Sequence, residues 1–290
     1  MSKFFQDIKT KYINGTSFTR ILYINISIFI VIKLISVIGF LYQIENIDYL
    51  IEHYLSLPSN TSDIIKKPWT LISYMFIHID FFHLIFNMIW LHFGSKIFLQ
   101  KFTSKQLIST YLLGGIFGGI LYIISFNSFP AFSELVSKSS IIGASASVIA
   151  IFISISSHSP NYKISIPLFG VIQLKYLATT LILLDILSIS PTNPGGHIAH
   201  LGGALFGFIY IILLKARIDL SVNFYEFLRI FTIKKKGKLK EDYKRNKRND
   251  DFFRSEKAIK QKKIDTILEK ISKSGYDSLS KEEKNTLFKE

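Results

Sequence analysis

Residues 142–147 read Ile-Gly-Ala-Ser-Ala-Ser, a run of small residues that opens an apolar, helix-length segment. Small residues let helices approach closely inside a membrane, so packing alone usually accounts for such a run. The alternative is that the hydroxyl of Ser145 is a nucleophile. The choice between these interpretations depends on which other side chains reach the depth of Ser145.

The composition is typical of a multi-pass membrane protein with a hydrophilic tail. Hydrophobic residues make up 49% of the 290 residues, charged residues only 19%, and the mean hydropathy is +0.31. That balance is unusual for a soluble domain of this size. The chain has no cysteine, which excludes disulfides, thiolate metal sites and cysteine nucleophiles.

The positive charge lies mainly in one segment. The formal net charge is +14, and residues 234–263 hold fourteen Lys or Arg against five Asp or Glu. We therefore expect no nucleic-acid partner. The segment is interpreted as solvated, or as attracted to an anionic inner leaflet at about 1 kcal/mol per basic residue. Helical spacing from Ile264 to Ile271, followed by Gly275, predicts a short helical hairpin at 264–290.

Six apolar segments approach or reach the length needed to cross a bilayer. They cover about 18–41, 83–98, 107–126, 141–156, 174–189 and 196–214. The first has no cleavage site after it and should remain as an anchor, although Lys33 interrupts it. Aromatic residues in the long connection 42–82 suggest an element lying among the headgroups. We predict an all-α membrane protein with a leader at 1–17, a six-helix domain at 18–215 and a basic, partly helical tail at 216–290.

The distribution of Lys and Arg predicts the orientation. The leader and the loop after the second segment are rich in lysine, whereas 127–140 has only Lys138 and 190–195 has no charge. Both termini, and therefore the tail, should be cytosolic. The second, fourth and sixth segments then begin at the outer face. Their first turns bring His83 and Asn87, Ser145, and His200 to about the same depth.

These residue types suit serine hydrolysis, which needs a hydroxyl, a base, oxyanion donors and water. Ser145 supplies the hydroxyl and His200 the base. Backbone N–H groups of Ala144 and Ser145, at a helix N-terminus, and the side chains of His83 and Asn87 can stabilise an oxyanion.

Asp185 in the fifth segment and His197 in the sixth are not assigned to the catalytic pair. Asp185 is interpreted as a structural partner of a hydroxyl or a loop N–H, so a dyad is favoured over a triad. The alternative is that Asp185 tunes the site or the gate. His197 lies one turn before His200, nearer the water, and we place it at the rim of the site. We expect no metal, because His78 and His83 have no further ligand at suitable spacing and His-Glu-x-x-His is absent.

Three ordered motifs resemble those of rhomboid intramembrane serine proteases. Ala199, His200, Gly203 and Gly207 match the pattern Ala-His-x-x-Gly-x-x-x-Gly, and His83 with Asn87 matches His-x-x-x-Asn. The stretch 68–78 is similar to the first-loop region of the family. The usual Gly-x-Ser-Gly is represented by Gly143, Ala144 and Ser145, but Ala146 replaces its last glycine. The resemblance extends over about residues 17–215.

The resemblance implies a cofactor-free endopeptidase in the lipid bilayer, acting on membrane-anchored proteins in or near a transmembrane segment. It implies a bacterial-type cell membrane, an active site open to the outer face, a lid at 191–196 and a lateral gate in the fifth segment. Two alternatives remain: a non-catalytic relative that binds transmembrane clients, and a small transporter whose histidines relay protons.

Overall fold

The computed structural model describes residues 15–166, 170–190 and 193–224, together with positions 6, 10, 12 and 13, residues 266–271, and positions 275 and 280. The chain divides into two units, Met1–Arg229 and Ile230–Glu290. In the second unit, residues 266–271 are helical, and the basic segment 234–263 lies outside the described residues. Most of the predicted leader and of the predicted hairpin also lies outside them.

The first unit is mostly helical, as predicted. Its helices are α1 (Ser17–Leu41), α2 (Ile47–Leu55), α3 (Thr61–Lys66), α4 (Thr70–Ser73), α5 (Phe81–Phe98), α6 (Ser104–Ser128), α7 (Ser145–His158), α8 (Leu174–Leu187) and α9 (Pro194–Lys215). Two 3₁₀ turns, Tyr74–Phe76 and Pro130–Phe132, follow α4 and α6. Among the described residues, α1, α6 and α9 are long and apolar enough to cross a membrane. Thr70–Phe76 and α5, bent by 94° at their junction, can form a fourth span.

By length and composition, the described helices therefore support three or four membrane spans, and the predicted six are not established. The helices α7 and α8 have 14 residues each. At 1.5 Å per residue each is about 21 Å long, shorter than the roughly 30 Å hydrocarbon layer.

The connection between α1 and α5 is more structured than predicted. It holds α2, α3 and α4, and a two-residue strand β1 (Leu57–Pro58) that pairs antiparallel with β2 (Ser140–Ile141). A second hairpin joins β3 (Lys163–Ile166) to β4 (Gly170–Gln173) between α7 and α8. The first pairing places the chain just before Ser145 against the connection, which fixes the entry to α7.

Small residues bring α6, α7 and α9 into close contact at the centre of the bundle. A side chain at Gly203 would collide with the carbonyl of Ala146, and one at Gly207 with the carbonyl of Ala150. A Cβ at Gly118 would lie 2.7 Å from the carbonyl oxygen of Ala199. The backbones thus meet without intervening side chains, which places the first turns of α7 and α9 side by side.

Candidate active site

Ser145 is the first residue of α7, and the loop before it is held in place by the first connection. The N–H of Gly143 donates to the carbonyl of Tyr74 at 2.8 Å, and the Tyr74 hydroxyl donates to the carbonyl of Gly115 at 2.6 Å. Gly143 has φ +116°, a conformation that favours glycine. Ala144, with no side chain capping the helix, precedes Ser145, so the first N–H groups of α7 stay available as donors.

Ser145 and His200 lie within hydrogen-bond distance although 55 residues separate them. The Oγ atom of Ser145 is 2.6 Å from Nε2 of His200. His200 lies in the second turn of α9, a helix that begins with Pro194 and is capped by Asn193, whose side chain accepts from the N–H of Gly196 at 3.3 Å. A hydroxyl and an imidazole in this arrangement can form a nucleophile–base pair.

Asp185 lies beside this pair and contacts its base. Its Oδ1 atom is 2.8 Å from Nδ1 of His200 and 2.8 Å from Nδ1 of His197. The partners suggested for Asp185, a hydroxyl or a loop N–H, are replaced by two imidazoles, and the contact with His200 agrees with the alternative that Asp185 tunes the site. His197, assigned to the rim, shares the same carboxylate.

The contact with Asp185 determines which nitrogen of His200 carries the proton. An ionised carboxylate can only accept, so Nδ1 of His200 donates to it. Nε2 is then the acceptor for the Ser145 hydroxyl, which is the tautomer that a general base needs. The arrangement Ser145–His200–Asp185 has the connectivity of a catalytic triad.

Topology could have located Asp185 from the sequence. A connection of six residues, 188–193, joins α8 to α9. Two consecutive helices with so short a connection run in opposite directions, so the last turn of α8 lies beside the first turns of α9. Asp185 is in that last turn, and His197 and His200 are in those first turns.

The two side chains predicted as oxyanion donors, His83 and Asn87, lie on α5. The N-cap of this helix, Asp80, accepts from the N–H of His83 at 2.7 Å. The side-chain amide of Asn87 donates to the carbonyl of His83 at 2.9 Å. A Cβ on Gly143 would lie 2.8 Å from Nε2 of His83, so this imidazole covers the loop before Ser145. Asp80 is a further positioning residue, recognisable in sequence as an N-cap three residues before His83.

A cavity of about 260 Å³ opens beside Ser145 and His200. Three polar side chains other than Ser145 line it: Asn87, Asp185 and His200. The rest of the lining is aromatic or aliphatic and comes from α5, α7 and α8: Phe86, Trp90, Val148, Ile149, Phe152, Leu181 and Leu184. An apolar cavity with a few convergent polar groups suits a hydrophobic peptide segment.

The other two residues of the small-residue run, Ala146 and Ser147, pack against α6. Ser147 is fully buried, and a Cβ on Gly115 would collide with its Oγ atom. Ala146 is 2% exposed, and its methyl group faces Gly118 on α6. The replacement of the usual glycine is therefore accommodated by a glycine on the neighbouring helix. Of the predicted lid, residues 191 and 192 lie outside the described part of the chain.

Comparison with known proteins gives two family matches. A family described as Rhomboid domain matches residues 66–217, and a family of unknown function, DUF6576, matches residues 248–289. The chain is 33% identical over 144 residues to "RHOMBOID-like protein 12, mitochondrial" of Arabidopsis thaliana, covering 47% of this chain and 43% of that protein. It is 28% identical over 166 residues to "Presenilin-associated rhomboid-like protein A, mitochondrial" of Danio rerio, covering 56% and 41%. The chain thus spans less than half the length of these two relatives.

Proposed function

The chain belongs to the rhomboid family, and on that premise we propose that it is an intramembrane serine endopeptidase. The observation that carries the proposal is the 2.6 Å separation of Ser145 Oγ and His200 Nε2 within an apolar helical bundle. Polar side chains are costly in such surroundings and are retained where they act. The substrates are membrane-anchored proteins, cut in or near a transmembrane segment.

In the proposed reaction, Ser145 attacks the scissile carbonyl while His200 takes the hydroxyl proton. His200 then returns the proton to the leaving amine, and water releases the acyl-enzyme. The N–H groups at the start of α7, with His83 and Asn87, stabilise the oxyanion. Asp185 holds His200 in the required tautomer, which extends the predicted dyad. Because a helix hides its carbonyls in its own hydrogen bonds, the scissile region must unwind, and helix-breaking residues lower that cost.

We further propose the six-pass topology with both termini cytosolic and the site open to the outer face. The two short helices α7 and α8 count as crossings in this topology. α8 suits a lateral gate because its Leu181 and Leu184 line the cavity and its Leu187 is exposed. The basic segment 234–263 is proposed to contact anionic lipid. The relatives are named as mitochondrial, so the expected bacterial-type membrane gains no support from them.

The test is cleavage of a helical transmembrane substrate by the full chain reconstituted in liposomes. Ser145→Ala and His200→Ala should each abolish cleavage. The matched control is Ser147→Ala, which removes a buried hydroxyl from the same helix outside the cavity and should leave cleavage in place. Cleavage by Ser145→Ala at the wild-type rate would exclude the mechanism. A folded wild-type chain that binds the substrate without cutting it would favour the client-binding alternative.

A further inference from the structure

Asp185, His197 and His200 form a cluster that the proposed reaction uses only in part. One carboxylate oxygen lies 2.8 Å from Nδ1 of each of the two histidines. Orienting His200 requires a single imidazole on that oxygen, and His197 takes no part in the chemistry at Ser145. The second imidazole therefore calls for a separate explanation.

We propose that Asp185, His197 and His200 bind a zinc ion, and that bound zinc reversibly inhibits the peptidase. The inhibitory part rests on the proposed function, whereas the binding part does not. From the sequence we expected no metal, because His78 and His83 have no further ligand at suitable spacing and His-Glu-x-x-His is absent. The new site is composed of residues from α8 and α9 that the fold brings together.

The three ligand atoms fit zinc in type and number, and they lie close enough together to reach one ion after small shifts. They are two imidazole nitrogens and one carboxylate oxygen, all within 4.8 Å of one another. Zinc binds such atoms at about 2.0–2.2 Å in tetrahedral geometry, which puts neighbouring ligand atoms roughly 3.3 Å apart. To admit the ion, the two 2.8 Å contacts have to lengthen by about 0.5 Å, and the two imidazole nitrogens, which lie within 4.8 Å of each other, have to come to a similar separation. A fourth position remains for water.

The cluster is accessible and selective. The side chains of Asp185, His197 and His200 are 12%, 25% and 23% exposed, so the cluster is open at the surface of the bundle. Imidazole is a preferred ligand of zinc, whereas magnesium and calcium prefer sites composed of oxygen atoms. We therefore expect zinc to bind and magnesium not to compete.

Zinc on His200 would remove the base by moving a proton. The metal needs the lone pair of Nδ1, so the proton that Nδ1 donates to Asp185 has to move to Nε2 of the same neutral ring. The same shift occurs in His197, and no proton is lost overall. Nε2 of His200 then carries a hydrogen and donates to Ser145 instead of accepting from it. The hydroxyl loses its base, and turnover stops until the zinc is removed.

The binding half is tested without any peptidase activity, in the full-length Ser145→Ala protein purified in detergent with chelator and then dialysed. Zinc titration by calorimetry, with metal content by mass spectrometry, should reveal a site that the further change His197→Gln weakens at least about tenfold. The control change His158→Gln removes a histidine from the other end of α7 and should leave the site intact. If the His197→Gln protein does not fold, Asp185→Asn removes a different ligand and serves in its place. Equal zinc binding in all these proteins would mean an adventitious ion only.

The inhibitory half is tested on the active chain. Zinc should lower the cleavage rate, EDTA should restore it, and magnesium at the same concentration should have no effect. Each variant is compared with its own zinc-free rate, and His197→Gln should raise the half-inhibitory zinc concentration at least about tenfold. Equal zinc sensitivity in His197→Gln and wild type would overturn the inhibitory site. Absence of cleavage without zinc would instead count against the proposed function, and the binding measurement would still decide the metal site.

Discussion

Replacing Asp185 by asparagine tests whether this carboxylate acts in the reaction or only in the packing. Asparagine has nearly the same shape, so the change removes the charge and half of the acceptor capacity with little loss of volume. Its amide can donate to Nδ1 of His200, which would place the ring proton on Nε2. That tautomer cannot accept a proton from Ser145.

The expected magnitude follows from the 2.8 Å contact between Asp185 and His200. A hydrogen bond to a charged group contributes about 1.5–3 kcal/mol, or roughly 10- to 150-fold in rate. Inversion of the tautomer raises the loss to about 10⁴-fold in a Ser-His-Asp protease. We therefore expect kcat to fall by about 10- to 10⁴-fold, with KM nearly unchanged because little of the cavity changes.

The assay is steady-state cleavage of a fluorogenic transmembrane peptide in detergent with EDTA present. The matched control is Asp219→Asn, since Asp219 accepts from Gln106 at 3.0 Å and from the N–H of Ser221 at 2.9 Å, away from the cavity. Asp219→Asn should keep kcat within about threefold of wild type. A folded Asp185→Asn protein with kcat within that same range would refute the orienting role and return Asp185 to a structural one.

Three other changes test the packing and the oxyanion site. Gly203→Ala should lower the free energy of unfolding by at least about 1–3 kcal/mol, because its methyl group meets the Ala146 carbonyl. Gly94→Ala is the control, since its methyl lies 3.4 Å from Phe152; equal melting temperatures would contradict the close contact of α7 and α9. Asn87→Ala should lower kcat about 10²- to 10³-fold with KM unchanged, and a change in KM alone would make Asn87 a substrate-binding residue instead. Ala146→Gly should cost about 1 kcal/mol of stability and leave kcat within about threefold; a large gain in kcat would show that the methyl group limits the site.

The sequence was sufficient to pair Ser145 with His200 as candidates. Small residues at 143–146 and glycines at 203 and 207 predict that α7 and α9 approach closely, and the structure has that contact. Each of these patterns lies within one short stretch of sequence, so it can be recognised without knowing the other helices.

Asp185 and the strand pairs could not be predicted in the same way. The role of Asp185 was predicted from its place in the fifth segment alone, whereas its position beside His200 depends on the short connection to α9. The pairing of β1 with β2 joins two residues to two others more than 80 positions away, and so short a strand has no alternation of hydrophobic and polar residues. The hairpin of β3 and β4 lies in the connection between the fourth and fifth predicted segments. These features depend on tertiary contacts, which cannot be predicted from the sequence of one segment alone.

The most direct measurement of the central hypothesis is labelling of the purified full-length protein by a fluorophosphonate, with the labelled residue identified by mass spectrometry. If Ser145 is a nucleophile activated by His200, the wild-type protein is labelled at Ser145, Ser145→Ala is not labelled, and His200→Ala is labelled far more slowly. Ser147→Ala is labelled like wild type. A folded wild-type protein without label at Ser145, or equal labelling of wild type and His200→Ala, would contradict the nucleophile–base pair.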